Sequence, residues 1–203
     1  MEIGMGGTVA KIAAAGDLLT SVVITDGRRA PDPFSVGPEK MATTRKDESD
    51  KAAKVLGISE SIFFGFESVV SEESIAEAAE KMIEVIDSFE PDEIYSLHPE
   101  LDRHPSHRMA GKICVDALRQ CSNRNIKLWA YEVWGLFPKW DRLEDITAHI
   151  ETKIAAIGEH KSQIAAIPYV DGVVGLNRWR AVFADPHQST VEAVYAEVFL
   201  RLN

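Results

Sequence analysis

Glu93-Ile94-Tyr95-Ser96-Leu97-His98, running on into Pro99-Glu100-Leu101-Asp102-Arg103-His104-Pro105-Ser106-His107, reads as a strand over 93–97 that ends at His98, a short polar loop, and the start of a helix over about 106–121. A strand feeding a helix through a loop is the repeating piece of an α/β fold. The loop itself places two histidines three apart, with an aspartate just upstream and a proline between them. Two imidazoles and a carboxylate in one loop can give a hydrolytic site one metal ligand and one proton-transfer group. They cannot hold a catalytic zinc alone, because such an ion takes three protein ligands and an open position for water. The remaining ligands are expected from elsewhere.

Outward from this stretch the same alternation recurs. Thr8 to Ala15 is alanine-rich and helical, opened by Gly6-Gly7 and stopped by Gly16. Leu18 to Thr25 is a β-branched strand ending in Asp26-Gly27. Arg28 to Lys40, rich in proline and polar residues, is a loop beyond a strand end, where α/β folds carry their binding apparatus. A helix over 41–56, a strand over 61–65 and an amphipathic helix over 74–89 follow, the last with Ile75, Ala78, Ala79, Met82, Ile83 and Ile86 on one stripe. After the central unit come a strand over 127–134, a helix over 145–163 and a terminal strand over 193–202. The pattern predicts one Rossmann-like domain over residues 1–203, a mostly parallel sheet with helices on both faces.

Composition narrows the function. The chain has 203 residues and a formal net charge of −10, from 22 Lys+Arg against 32 Asp+Glu, with no long basic cluster. That balance argues against a nucleic-acid footprint and for a small or neutral ligand. No apolar run approaches the roughly 18–20 residues of a membrane span, so the cytoplasm is the default expectation. Cys114 and Cys121, seven apart on one helix, would lie about 10 Å apart along its axis at ~1.5 Å per residue. They cannot pair with each other and read as apolar filling. Gly4-Met5-Gly6-Gly7 is a weak dinucleotide-loop signal without a preceding strand.

The sequence resembles the PIG-L (LmbE-like) N-acetylglucosaminyl deacetylases. The likeness runs in order through Glu2-Ile3-Gly4-Met5-Gly6-Gly7-Thr8-Val9-Ala10-Lys11, Thr25-Asp26-Gly27, Thr44-Arg45-Lys46-Asp47-Glu48, Val55-Leu56-Gly57, Asp102 to His107, His160-Lys161-Ser162-Gln163 and Tyr195-Ala196-Glu197-Val198-Phe199. Members carry His-Pro-Asp-Asp-x-Glu at the end of their first strand, just before the glycines. With Glu2 as that glutamate, the histidine and both aspartates fall outside the chain, and a missing first strand is the expectation.

The resemblance implies a hydrolase that uses Zn2+, or another divalent metal, to remove the acetyl group from an N-acetylglucosamine-type sugar or conjugate. It implies His107 as a metal ligand and His104 as the imidazole that stabilises the oxyanion and protonates the leaving amine. Ser106 stands where the family often has an aspartate thought to orient that imidazole, leaving Asp102 as the substitute catalytic carboxylate. It also implies Arg45 as a substrate contact, a small amino-sugar substrate, and a homo-oligomer; Asp26, ending a strand on the rim that carries the site, is expected to contact metal-site residues or sugar hydroxyls. The alternative is a non-catalytic relative that only binds its ligand.

Each residue also has a structural reading. Ser106 could N-cap the helix with His107 in its first turn. Arg45 could pair with Asp47 or Glu48, and Asp26 could be a plain Asp-Gly turn. His98 suits a strand end, His160 suits fixing a late helix against the sheet, and His149 and His187 have no supporting cluster. Trp129, Trp134, Trp140 and Trp179 suit packing as well as sugar stacking.

Overall fold

Glycine, proline and serine set the element boundaries in the computed structural model, which describes residues 1–122, 125–183 and 193–203. Helix α1 (Glu2–Ala15) ends at Gly16 and α2 (Pro38–Leu56) ends at Gly57, both glycines in the left-handed conformation that closes a helix. Pro38 opens α2, and α4 (Pro105–Gln120) likewise starts on a proline, whose fixed φ suits a first helical turn. Helix α3 (Glu72–Phe89) is opened by a reciprocal Ser71–Ser74 capping box. Strands β1 (Thr20–Thr25), β2 (Glu60–Phe66), β3 (Glu93–Leu97) and β4 (Lys127–Tyr131) alternate with these helices as expected.

Two compact units divide the chain. The first comprises Met1–Glu67 and Leu143–Glu197. In it β1 and β2 pair in parallel, Thr20 opposite Glu60. Its helices bury Val9, Ala10, Met41, Ala52, Leu56, Ile150, Ala156 and Ile157. The expected helix over 145–163 is broken here. The end of β5 (Arg142–Asp145) leads through a 3-10 turn, Thr147–His149, into α5 (Ile150–Gly158) and then α6 (Lys161–Ile164). Asp145 makes the break by taking the Thr147 amide and hydroxyl at 2.9 and 2.6 Å, an alternative to the helical bond pattern. Helix α7 (Tyr169–Val182) has no counterpart in the sequence reading. Gly172 and Gly175 interrupt its pattern, and its apolar residues form no single stripe.

At the centre of this unit lies a buried ion pair. Lys153 of α5 and Glu197 of β6 (Ala196–Arg201) are both inaccessible, with Nζ 2.7 Å from the carboxylate and 2.8 Å from Asn177 Oδ1. Burial lowers the lysine's proton affinity, and Glu197 opposes that shift. Glu197 also accepts the Gly7 and Thr8 amides at 3.0 and 2.7 Å and the Thr8 hydroxyl at 2.6 Å. These donors sit just after Met5, whose φ of −145° interrupts α1. The carboxylate thus caps the helix where it restarts, an anion against exposed N–H groups. Gly7 is required beside it, since a Cβ there would come within 2.6 Å of the Ile146 side chain.

The second unit comprises Ser68–Arg142 and Val198–Asn203. Strands β3 and β4 pair in parallel from Glu93↔Lys127 to Leu97↔Tyr131, and β4 pairs antiparallel with β6 from Trp129↔Arg201 to Tyr131↔Phe199. The four-stranded sheet has the order β3-β4-β6-β5. The antiparallel β6 is the departure from a purely parallel pattern. Ala78, Met82 and Ile86 recur every four residues on α3 and are buried, as are Ile113, Cys114, Ala117 and Leu118 of α4. Both cysteines are buried and unpaired, in line with apolar filling. Gly111 lets α4 approach the end of β3, because a Cβ there would overlap the Leu97 carbonyl. Among the described residues no helix is long and apolar enough to cross a membrane.

Breaking the buried pair from one side should be costly. Lys153→Met leaves the Glu197 charge uncompensated, and a loss of about 3–5 kcal/mol is expected. Equilibrium urea unfolding measures it. A loss under 1 kcal/mol would show that the pair does not hold this unit together.

Candidate active site

Asp102 has relative exposure of 4%, and its two carboxylate oxygens are fully engaged. Oδ1 accepts the His104 amide at 2.7 Å. Oδ2 accepts the Trp134 amide at 3.2 Å and lies 3.2 Å from His107 Nδ1. The carboxylate therefore orients the His107 ring, whereas His104 is held through its backbone. This differs from the expected pairing of Asp102 with the His104 ring. The geometry of the turn explains it: Asp102 accepts the amide two residues on, an Asx turn, and its other oxygen reaches the first turn of α4.

Helix α4 supplies the rest of the local order. His104, rather than Ser106, is the N-cap residue, and Pro105 is the first helical residue. Arg108, one turn in, donates from Nη1 to the Asp102 and Arg103 carbonyls at 2.9 and 3.1 Å. The loop after β4 closes over the same turn. Arg103 Nε donates to the Trp134 carbonyl at 2.8 Å, and Gly135 lies so near that a Cβ would overlap the Leu101 carbonyl. Glu132 is turned inward and accepts the Phe137 amide.

The two imidazoles lie 4.9 Å apart, ring centre to ring centre, yet differ in environment. His104 is exposed. His107 is partly buried, and burial lowers its proton affinity, with the hydrogen bond to Asp102 opposing the shift. A neutral His107 donating from Nδ1 to Asp102 leaves a lone pair on Nε2. That is the form a metal-binding or proton-accepting histidine needs, with a carboxylate behind it. Among the described residues, however, no group of three or more His, Cys, Asp or Glu side chains could hold a metal. These residues do not by themselves fit a complete metal centre.

The other sequence candidates lie in the first unit. Asp26 accepts the Arg28 amide at 3.0 Å and Arg28 Nε at 2.7 Å, so both oxygens serve the turn after β1. Gly27 follows at φ 76° and rests on the Arg45 stem, with its Cβ position 3.0 Å from Arg45 Cγ. The Asp-Gly turn and Arg45 are thereby brought together. Arg45 is 9% exposed, and its Nη2 donates to the Pro31 carbonyl at 3.3 Å. Its Nε and Nη1 are buried without a partner among the described residues. Neither helical carboxylate takes them. Asp47 pairs with Lys51 at 2.7 Å, and Glu48 accepts the Ser162 amide and hydroxyl at 2.7 and 2.5 Å. Burial lowers the proton affinity of Arg45, with the Glu48 charge opposing it.

His160 N-caps α6, with Nε2 3.2 Å from Glu2 Oε1 and Nδ1 3.2 Å from Gln163 Nε2. It ties α6 to α1 rather than to the sheet. Trp129 lies beneath the guanidiniums of Arg142 and Arg201, and Trp179 packs on Phe183. His187 lies outside the described residues. Three contributors had no clear sequence signal. The Trp134 amide is a backbone donor, Arg108 acts on carbonyls, and His98 turns its ring back onto its own loop.

Known proteins resemble this chain in sequence and in fold. A curated relative, the diacetylchitobiose deacetylase of Thermococcus kodakarensis, is 25% identical over 177 residues, covering 79% of this chain and 65% of that protein. The chain thus spans just under two thirds of that relative's length. A probable N-acetyl-α-D-glucosaminyl L-malate deacetylase of Bacillus cereus is 25% identical over 171 residues, covering 80% and 78%. Among solved structures, the N,N'-diacetylchitobiose deacetylase of Pyrococcus horikoshii superposes with a TM-score of 0.82 at 22% identity, covering 99% of this chain and 79% of that one. GalB, the 4-carboxy-2-hydroxymuconate hydratase of Pseudomonas putida, superposes with a TM-score of 0.81 at 18% identity, covering 100% and 91%. Both superpositions show the fold. The family described as PIG-L, GlcNAc-PI de-N-acetylase, matches residues 1–118, more than half of the sequence, and the chain belongs to it.

Proposed function

We propose that this chain forms a single PIG-L/LmbE-like domain of a hydrolase that cleaves the acetyl group from the nitrogen of an N-acetylglucosamine-type sugar or conjugate. Two deacetylase relatives support the reading, and the unlike treatment of His104 and His107 carries it. Amide hydrolysis needs one group to accept a proton from the attacking water and another to deliver a proton to the leaving amine. His104, exposed and fixed through its backbone, suits proton delivery and a hydrogen bond to the developing oxyanion. Asp102 keeps His107 in the tautomer with a free Nε2. It serves catalysis through His107 and through the turn that holds His104.

Zn2+ or another divalent cation is the proposed cofactor, with His107 Nε2 as the ligand from this loop. The described residues do not complete such a centre, so the work assigned to the side chains stands apart from it. For substrate binding, Arg45 is the strongest candidate. A buried guanidinium with two nitrogens unpartnered among the described residues gains hydrogen bonds when a sugar or acyl oxygen reaches it. Asp26 supports it by fixing the turn on which the Arg45 stem rests.

Acetate release from N,N'-diacetylchitobiose and N-acetylglucosaminyl conjugates, with and without added Zn2+, tests the activity. Sugar binding without acetate release would favour the ligand-binding alternative. In a form carrying the family's His-Pro-Asp-Asp segment ahead of Glu2, His107→Ala is expected to lower metal retention after dialysis. His104→Ala should leave it unchanged and reduce kcat by about 10²-fold or more, as for loss of an acid or oxyanion donor. Equal metal loss in both would overturn the division of roles. Arg45→Met should raise KM roughly 10- to 100-fold, the worth of a hydrogen bond to a charged group. An unchanged KM would remove Arg45 from the binding site.

A further inference from the structure

We propose that His98 is a positioning residue: its imidazole, with Nδ1 unprotonated, pins the turn carrying Asp102, His104 and His107, and protonation of Nδ1 releases that turn. His98 is the first residue after β3, and its Nδ1 lies 3.0 Å from both the Glu100 and the Leu101 amide nitrogens. Both are donors, so Nδ1 must present its lone pair, and a neutral ring then carries its proton on Nε2. Pro99 has no N–H. The first two amides after His98 are therefore tied to this one nitrogen.

The pinned turn leads directly into the site. The Leu101 carbonyl abuts Gly135, and the next residue is Asp102, which accepts the Trp134, His104 and His107 groups. A shift at Leu101 reaches the His107 ring through one peptide and one carboxylate.

The surroundings favour the neutral ring. The loop after β4 presents the edge of Phe137, with ring centres 5.8 Å apart at 61°, and its Glu132 is turned to the Phe137 amide. Helix α4 meets the same corner with Gly111 against Leu97 and Pro99. Its nearby cation, Arg108, is spent on the Asp102 and Arg103 carbonyls, and Arg103 on the Trp134 carbonyl. The charge acting on His98 is Glu100 on its own turn. Burial lowers the ring's proton affinity, and Glu100 partly offsets it. The unfolded chain therefore takes up this proton first as pH falls. The contribution of His98 is complete above the ordinary histidine value of 6.5 and is lost as pH drops through the depressed folded value.

The consequence for activity rests on the deacetylase reading, whereas the tautomer and the turn do not. Ring 1H–15N correlation spectra and amide hydrogen exchange on the 15N-labelled full chain test the latter directly. The expected results are an Nε2–H tautomer for His98 and protection of the Glu100 and Leu101 amides that is lost on acidification. His98→Leu should speed exchange at both amides about tenfold, the worth of one hydrogen bond, and shift the His104 and His107 ring signals. His98→Asn, whose Oδ1 can accept the same amides without titrating, should restore the signals and abolish the acid-side loss of protection. An Nδ1–H tautomer, or exchange unchanged in His98→Leu, would overturn the proposal. In acetate-release assays the native chain should lose activity on the acid side more steeply than His98→Asn, in which protonation of His107 still sets a limb; coincident limbs would also overturn it. No acetate release from any form would count against the deacetylase reading alone, since the ring and exchange results still decide the role of His98.

Discussion

The Asp102 carboxylate is the constraint on which the candidate site depends. It is buried, and it gathers donors from its own turn, from the first turn of α4 and from the loop after β4. A carboxylate held by two backbone N–H groups and an imidazole has little freedom to swing toward a ligand. Its function is to fix positions. Three segments meet there that would otherwise be independently mobile loop ends. The two imidazoles inherit their separation of 4.9 Å and their different exposures from this arrangement.

Close backbone approach makes the arrangement possible. Gly111 brings α4 onto the Leu97 carbonyl, and Gly135 brings the loop after β4 onto the Leu101 carbonyl. A side chain at either position would push apart the pieces that Asp102 joins. The glycines are thus as necessary to the site as the histidines, although they contribute no chemistry.

Much of this was legible in the sequence. Strand β3 matched the expected 93–97, and α3 and α4 matched their predicted helices within two residues. Their apolar periodicity is strong and their boundaries carry serine, proline or glycine signals. The helix over 145–163 was misread because Asp145 and Thr147 divert the backbone through side-chain hydrogen bonds, an effect that periodicity does not register. β5 is four residues with charged ends, and α7 carries two glycines, so neither offers a clear pattern. Within the site, Asp102, His104 and His107 were found together by residue type and spacing. Their pairing was not, because whether Asp102 reaches the ring of His104 or of His107 depends on the direction of the turn, and spacing leaves that open.

Lys153 and Arg45, both buried cations of the first unit, show how structure can separate roles that sequence leaves equivalent. Lys153 is wholly inaccessible, yet its ammonium meets Glu197 and Asn177 at 2.7 and 2.8 Å. Its charge is balanced within the fold, and removing it disturbs a helix cap. Arg45 is 9% exposed, and two of its nitrogens have no partner among the described residues. The carboxylates nearest in sequence are committed to Lys51 and to Ser162. Buried donors in native proteins nearly all have partners, so Nε and Nη1, without one among the described residues, leave the guanidinium only partly satisfied. Lys153 is therefore best understood as part of the scaffold. Arg45, held on the Asp26-Gly27 turn and under-satisfied among the described residues, is the one of the two that suits the proposed contact with an oxygen-rich ligand.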